Sequence, residues 1–124
     1  MKVLLSIKPE FVEKIMNGTK KFEFRKTLFK RRDVSTVVIY ASFPVKQVVG
    51  EFAIKRIISE DVDSLWNITS ESAGITKRYY NEYFERKKIA NAIEIGRLTK
   101  YKKPKKLSDF DIAYAPQSFC YIAQ

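Results

Sequence analysis

Residues 18–25, with the sequence GTKKFEFR, place two lysines, a glutamate and an arginine within eight positions. Phe22 and Phe24 alternate with the charged residues, which is the period of a strand with one buried face. The charged side chains of this strand should therefore share its opposite face, with a lysine in the turn before it. The candidate site residues of the segment are Lys20, Glu23 and Arg25.

This cluster suits an anionic or a polar planar ligand. Lys20 or Arg25 can hold a phosphate or carbonyl oxygen, and Glu23 can accept from the exocyclic amine of cytosine or adenine. Lys20 and Glu23 are also the candidate catalytic residues. Because nearby positive charge lowers a carboxyl pKa, we expect Glu23 to be ionised, a hydrogen-bond acceptor or base and a poor acid. The alternative is a solvent-exposed pair of Glu23 with Arg25, which would contribute little.

The composition excludes several kinds of site. The 124 residues contain no histidine and one cysteine, Cys120, so a Cys-His pair, a Ser-His-Asp triad and a His-ligated zinc are excluded. We expect no metal and no cofactor, although Glu23, Glu51 and Glu94 could hold Mg²⁺ if they converge. One domain spanning 1–124 is expected at this length. No apolar run is long enough for a membrane span or a signal peptide, which predicts a soluble, cytoplasmic protein.

Charge is segregated along the chain, which has a formal net charge of +10. Residues 20–32 and 97–106 are basic, whereas residues 58–72 carry acids and no base. Such polarity is typical of a nucleic-acid binder, and the alternative is a lysine-rich surface that confers solubility. The predicted contacts to a phosphate backbone are Arg31, Arg32, Lys102, Lys103, Lys105 and Lys106.

The apolar pattern predicts elements that could position these residues. Pro9 opens an amphipathic helix that ends at the Asn17-Gly18 pair, and Thr76 caps a later helix whose aromatics at 79, 80, 83 and 84 favour core packing. A buried central strand at 36–41 forms a hairpin with a long strand, in which Gly50 indicates a bulge or close approach. Glu94, among apolar neighbours, should have a partner. The other predicted segments are strands at 3–7, 21–26, 48–58, 90–96 and 117–122, a short helix near 63–66, and a basic loop to 107. We therefore predict an α+β fold, a small mixed β-barrel of about six strands with flanking helices.

The order of several short blocks resembles the ASCH domain, a branch of the PUA-like superfamily. The blocks are LSIKP at 5–9, GxKxxExR at 18–25, YASxP at 40–44, VGE at 49–51, AIEIG at 92–96 and PQSF at 116–119. The resemblance implies a PUA-type barrel whose cleft, beside the first helix, receives RNA or a nucleotide-like ligand. By the same resemblance the cleft would be lined by Lys8, Lys20, Glu23 and Arg25, with Ser42 and Gln117 from flanking blocks.

The leading hypothesis is an RNA- or nucleotide-binding domain in RNA metabolism or translation-linked regulation. The alternative is a hydrolase, because some ASCH proteins cleave N4-acetylcytidine with a Lys, a Thr nucleophile and a Glu, and others are linked to ribonuclease activity. Here Glu23 occupies the position that matches the Thr, and Thr19 lies on the other side of Lys20. A third hypothesis is a regulatory protein that binds an acidic partner through its basic surface.

Overall fold

The computed structural model describes residues 1–122, which form six strands and three α-helices. None of these helices exceeds eight residues, and no helix in residues 1–122 is long and apolar enough to cross a membrane. In chain order the elements are β1 (Lys2–Ile7), α1 (Pro9–Met16), β2 (Phe22–Arg25), β3 (Thr36–Ala41), β4 (Gln47–Asp61), α2 (Val62–Thr69), α3 (Lys77–Tyr83), β5 (Ile89–Lys105) and β6 (Phe119–Ile122), with short 3₁₀ turns at Ser70–Ser72 and Leu107–Phe110.

The strands form one mixed sheet in the order β2-β5-β4-β3-β1-β6. β1 and β3 run parallel, and the other neighbouring pairs are antiparallel. The α+β class and the six strands are as predicted, but the closed barrel is wrong, because β2 and β6 are the two edges of the sheet and do not pair. A side chain spans this gap instead: Arg25, on β2, donates to the carbonyl of Ser118, next to β6.

β3 is buried on both faces, as its β-branched sequence predicts, because it lies between β1 and β4. Its alternate residues divide between two cores: Val37 and Ile39 pack beneath α1, whereas Val38 and Tyr40 face the opposite cluster around Leu4. β4 follows β3 as the predicted hairpin. The close approach predicted at Gly50 is confirmed, since a Cβ there would lie 2.6 Å from the carbonyl oxygen of Thr99.

Helix α1 determines where the charged segment begins. Pro9 occupies its first turn, where a missing N–H costs nothing, and Gly18 follows its last turn at a φ of +83°. The chain then turns back, so that the N–H groups of Thr19 and Lys20 both donate to the carbonyl of Lys14, each at 3.0 Å. This reversal brings Lys20 to the start of β2.

A separate core lies under α2 and α3. Asp61 accepts from the N–H of Ser64 at the start of α2, and Thr76 caps α3 as predicted by accepting from the N–H of Tyr79. Phe24 of β2 packs edge-to-face on Tyr80 of α3 in this cluster. The helices that follow β4 are thereby fixed against β2.

β5 is longer than predicted, and the basic loop expected up to 107 is wrong. The strand continues to Lys105 because its backbone pairs with β4, where Val48 lies opposite Lys105 and Gly50 opposite Lys100. Its lysine side chains stay exposed, which is why composition alone suggested a loop. The predicted partner of Glu94 is present, since its carboxylate pairs with Arg56 and Lys55.

Candidate ligand-binding cleft

A cavity of about 240 Å³ opens to solvent between α1, β2, α3 and the segment before β6, and we call it the cleft. Its floor comes from the end of β1 and from β2, and its walls come from the two helices. Five of the residues predicted from the sequence line it together: Lys8, Lys20, Glu23, Arg25 and Gln117. Their role in binding a ligand stays a prediction.

Lys20 is the most buried charged group of the cleft, with 2% of its surface exposed. Its Nζ donates to the carbonyl oxygen of Ala73 at 2.8 Å and lies 5.3 Å and 4.9 Å from the ring centroids of Phe11 and Phe24. Burial lowers the pKa of Lys20 to about 8, although the carboxylate of Glu23 partly opposes this. A lysine with such a pKa holds some neutral amine near neutral pH and can accept a proton.

The segment that follows α2 fixes the position of Lys20. Gly74 has a φ of +71°, and a Cβ at this residue would lie 2.5 Å from both Cβ and Cγ of Lys20. The N–H of Lys21 donates to Ser72 at 2.9 Å, and Nζ of Lys14 donates to Gly74 at 3.1 Å. The glycine is required because the stem of the lysine lies directly against it.

Glu23 and Arg25 form a buried pair, so the exposed ion pair considered from the sequence is wrong. Nη1 of Arg25 lies 3.2 Å from Oε2 of Glu23, and the two side chains are 12% and 8% exposed. The guanidinium also donates to the carbonyl of Ser118 at 2.9 Å, to its Oγ at 3.1 Å and to the carbonyl of Ser6 at 3.5 Å. These bonds occupy most of its donors and join β2 to β1 and to the start of β6.

Burial raises the pKa of Glu23 above its usual value, while Lys20 and Arg25 act in the opposite direction. The lowered pKa predicted from neighbouring charges alone is therefore wrong in sign. The sequence shows that cations lie near Glu23, but it does not show that the carboxylate is removed from water. A carboxyl group with a raised pKa can donate a proton as well as accept one.

Two tyrosines of α3 form a wall of the cleft that the sequence pattern did not reveal. Tyr79 and Tyr83 line the cavity, whereas Tyr80 and the following Phe84 are buried in the core. Core packing, predicted for all four aromatics, holds for Tyr80 and Phe84; Tyr83 packs against the same cluster but also lines the cleft, and Tyr79 lines the cleft. Spacing contained the signal, since 79 and 83 lie four apart on a face adjacent to that of 80 and 84. The wall also includes Phe11 of α1, whose ring meets that of Tyr79 edge-to-face at 5.2 Å.

Two exposed lysines contact the tyrosines of this wall, and one of them, Lys8, lines the cleft. Nζ of Lys8 donates to the hydroxyl of Tyr79 at 3.2 Å, and Nζ of Lys26 lies 4.9 Å from the ring centroid of Tyr83. The cleft therefore has ionisable groups on its floor, aromatic walls and cations at its rim.

The remaining predicted site residues lie elsewhere. Ser42 is outside the cleft, because it begins the turn after β3 and its N–H donates to the carbonyl of Ile7 at 3.0 Å. The guanidinium of Arg31 is engaged by Asp33 at 2.8 Å and 2.9 Å, while Arg32 is exposed nearby. The other predicted phosphate contacts are exposed at the end of β5 or just after it: Lys102, Lys103, Lys105 and Lys106.

Glu23, Glu51 and Glu94 do not converge, since each has a separate partner: Arg25, Lys2 and Arg56, respectively. Within residues 1–122 no group of three carboxylate, thiol or imidazole side chains is arranged to hold a metal.

The chain is similar to several known proteins. It is 34% identical over 121 residues to ATP synthase subunit alpha of Ureaplasma parvum, a match that covers 97% of this chain and 15% of that protein. It is 34% identical over 89 residues to the ASCH domain-containing ribonuclease of Zymomonas mobilis, covering 72% of this chain and 60% of that protein. The chain therefore spans less than two thirds of the length of either relative.

Similarity extends to the three-dimensional structure. The crystal structure of ASCH from Zymomonas mobilis has a TM-score of 0.89 and 28% identity, over 99% of this chain and 88% of that chain. Residues 5–99 match the family model of the ASCH domain, and this range includes both β2 and α3.

Proposed function

Because the chain belongs to the ASCH domain family, whose fold is PUA-like, we propose that it binds RNA and holds one nucleotide in the cleft. An RNA-related function in general is supported by the family and by its ribonuclease member. The nucleotide, its orientation and the residues that contact it are the proposal.

The aromatic wall supports a planar ligand. Tyr79 and Tyr83 offer ring surface on one side of a cavity of about 240 Å³, which suits a single nucleobase with part of its sugar rather than an oligonucleotide. Stacking of a base on an aromatic side chain contributes about 1–3 kcal/mol. The cations of Lys8 and Lys26 at the rim would then lie beside the phosphates.

The floor supports selection among bases. Glu23 can accept from the exocyclic amine of cytosine or adenine, a contact that uracil cannot supply because it has no exocyclic amine. Arg25 is less suited to a phosphate than the sequence suggested, because its donors already hold Glu23, Ser6 and Ser118. In this proposal Arg25 is a positioning residue that orients the carboxylate.

One observation carries the proposal: Lys20 and Glu23 are buried together at the floor of a cavity that opens to solvent. Burying ionisable groups destabilises a fold unless they are paired and hydrogen-bonded. Shifted pKa values in a concave site are a common property of functional residues.

The test is the binding of fluorescent single-stranded RNA, measured by anisotropy at several salt concentrations. We expect Glu23→Gln to abolish the preference for cytosine or adenine with little change in the salt slope. Replacing Lys102 and Lys103 with glutamine should reduce the salt slope and keep the base preference. Wild-type affinity for RNA in both variants would refute the proposal.

Ribonuclease activity is the second candidate, because the relative from Zymomonas mobilis is named as one and Lys20 has a pKa near 8. In this mechanism the neutral amine of Lys20 removes the proton of a ribose 2′-hydroxyl. The 2′-oxygen bonds to the adjacent phosphorus, and the bond from phosphorus to the 5′-oxygen breaks. Protonated Glu23 supplies the proton to the leaving 5′-oxygen, and the products are a 2′,3′-cyclic phosphate and a 5′-hydroxyl.

Incubation of labelled RNA with wild-type protein and with Lys20→Ala tests this mechanism, with Lys21→Ala as the matched exposed control. We expect a cyclic-phosphate product that is lost in Lys20→Ala and kept in Lys21→Ala. Equal cleavage by wild type and Lys20→Ala would refute it. Acetyl-amide hydrolysis on N4-acetylcytidine is less favoured, since the hydroxyl of Thr19 is exposed and bonded to Asn17 at 2.7 Å.

A further inference from the structure

The turn between β3 and β4 presents an aromatic ring to solvent. Phe43 is 75% exposed and Val45 is 42% exposed. The turn is ordered by its backbone, since the N–H of Val45 donates to Ser42 at 3.1 Å and the N–H of Ser42 donates to Ile7 at 3.0 Å. An exposed ring held on a fixed turn is a surface on which a flat group can stack.

One lysine lies beside this ring, and the basic end of β5 lies near the same turn. Nζ of Lys46 lies 5.5 Å from the ring centroid of Phe43. Because Val48 pairs with Lys105, the start of β4 runs beside the lysine-rich end of β5. Residues 97–106 contain six basic residues and no acid. Two acids contact the segment: Glu51 accepts from the hydroxyl of Tyr101, and Asp109 accepts from the N–H of Lys106.

A second recess lies between this turn and the start of α1. It has a volume of about 340 Å³ and extends from Pro9, the neighbour of the cleft residue Lys8, to Val45 and Lys100. Most of its lining is apolar, and its one acidic member is Glu13 of α1. The cleft and the turn thus lie on either side of the start of α1.

We propose that single-stranded RNA leaves the cleft past Lys8, crosses this recess, and stacks a further base on Phe43 beside the lysines of β5. The inference rests on the proposed function and deepens it, because it makes the ligand an unpaired strand of several nucleotides rather than a free nucleoside. An open ring requires a base with an exposed face, which a duplex does not provide along its length. The lysines of β5 outnumber the acids beside them and would attract the phosphates that join such bases.

The test compares two probes: a fluorescent single-stranded RNA of about ten nucleotides, and cytidine 5′-monophosphate. Phe43→Leu keeps an apolar side chain but removes the ring. We expect it to weaken binding of the RNA roughly tenfold and to leave binding of the monophosphate unchanged. Phe43→Trp keeps an aromatic ring at this position and should bind the RNA as the wild-type protein does. Ile89→Ala, which changes an exposed apolar residue at the opposite end of β5, is the control and should bind both probes as wild type does.

The two proposals fail in different ways. If wild-type protein does not bind the monophosphate, the cleft is not a nucleotide site and the proposed function is refuted. If the monophosphate binds but Phe43→Leu retains full affinity for the RNA, only the second contact is refuted. Competition by duplex RNA or by polyglutamate as strong as that by single-stranded RNA would also overturn the inference, the latter in favour of an acidic protein partner.

Discussion

Replacing Lys20 with methionine should stabilise the protein at neutral pH. Lys20 has a pKa near 8 in the folded protein, against 10.5 when exposed, so the folded state disfavours its charged form. A difference of 2.5 pK units corresponds to about 3 kcal/mol of destabilisation at pH 7, where the lysine is charged in the unfolded chain. Methionine removes this cost but leaves the carbonyl of Ala73 without its donor, which costs about 1 kcal/mol. The net gain expected is about 2 kcal/mol.

The stability gained by Lys20→Met should decrease as the pH rises. Between pH 8 and 10.5 the unfolded chain binds more protons at Lys20 than the folded protein does, so the contribution of this residue to stability rises with pH. From pH 7 to about pH 9.5 the cost of the lysine should fall by about 2 kcal/mol, and the advantage of Lys20→Met should nearly disappear. Urea denaturation of both proteins across this range measures the difference, in which other titrating groups cancel.

Lys21→Met is the matched control, since Lys21 is adjacent and exposed, and its replacement should change the free energy of unfolding by less than about 0.5 kcal/mol. The reasoning would be refuted if Lys20→Met destabilised the protein at pH 7. A difference from wild type that stayed constant across the pH range would refute it equally.

Three further results are expected. Gly74→Ala should lower the free energy of unfolding by about 2 kcal/mol or more, whereas Gly18→Ala should lower it by only about 1 kcal/mol. Both glycines have a positive φ, but only at Gly74 would the added Cβ meet a neighbouring side chain. Urea denaturation of the two variants measures the difference. Arg25→Lys should lower the melting temperature by several degrees and weaken RNA binding, because a lysine cannot hold both sheet edges; an unchanged melting temperature would contradict this. Tyr79→Leu should weaken RNA binding with little loss of stability, whereas Tyr80→Leu should lower the free energy of unfolding by about 3 kcal/mol because Tyr80 is fully buried. Equal stability losses in thermal unfolding would contradict the assignment of Tyr79 to the cleft and Tyr80 to the core.

Periodicity predicted the elements whose side chains alternate between core and solvent. The helix beginning at Pro9 follows from the spacing of its apolar residues, whereas the strand at 36–41 follows from its β-branched apolar run and the turn at Gly18 from residue type. The extension of β5 to Lys105 could not be predicted in this way, because its residues pair through the backbone while their side chains stay exposed.

The composition of the cleft was partly predictable. The spacing of Lys20, Glu23 and Arg25 indicated that they would share a site, and all three line the cleft. The burial of these side chains was not predictable, and the burial of Glu23 determines the sign of its pKa shift. The role of Tyr79 also required the fold, because a helix with four aromatics shows which residues share a face but not which face meets the core.

Within residues 1–122, the side chain of Arg25 links the two edges of the sheet. Arg25 tethers β2 to Ser118, where a closed barrel would have a ladder of main-chain hydrogen bonds. A molecule in the cleft that accepts these hydrogen bonds from the guanidinium must compete with Ser118 and weaken the link between β2 and the start of β6. A molecule that contacts only the rings of Tyr79 and Tyr83 and the carboxylate of Glu23 leaves this link unchanged. The chemistry of the occupant therefore decides whether the bond from Arg25 to Ser118 is kept when the cleft is filled.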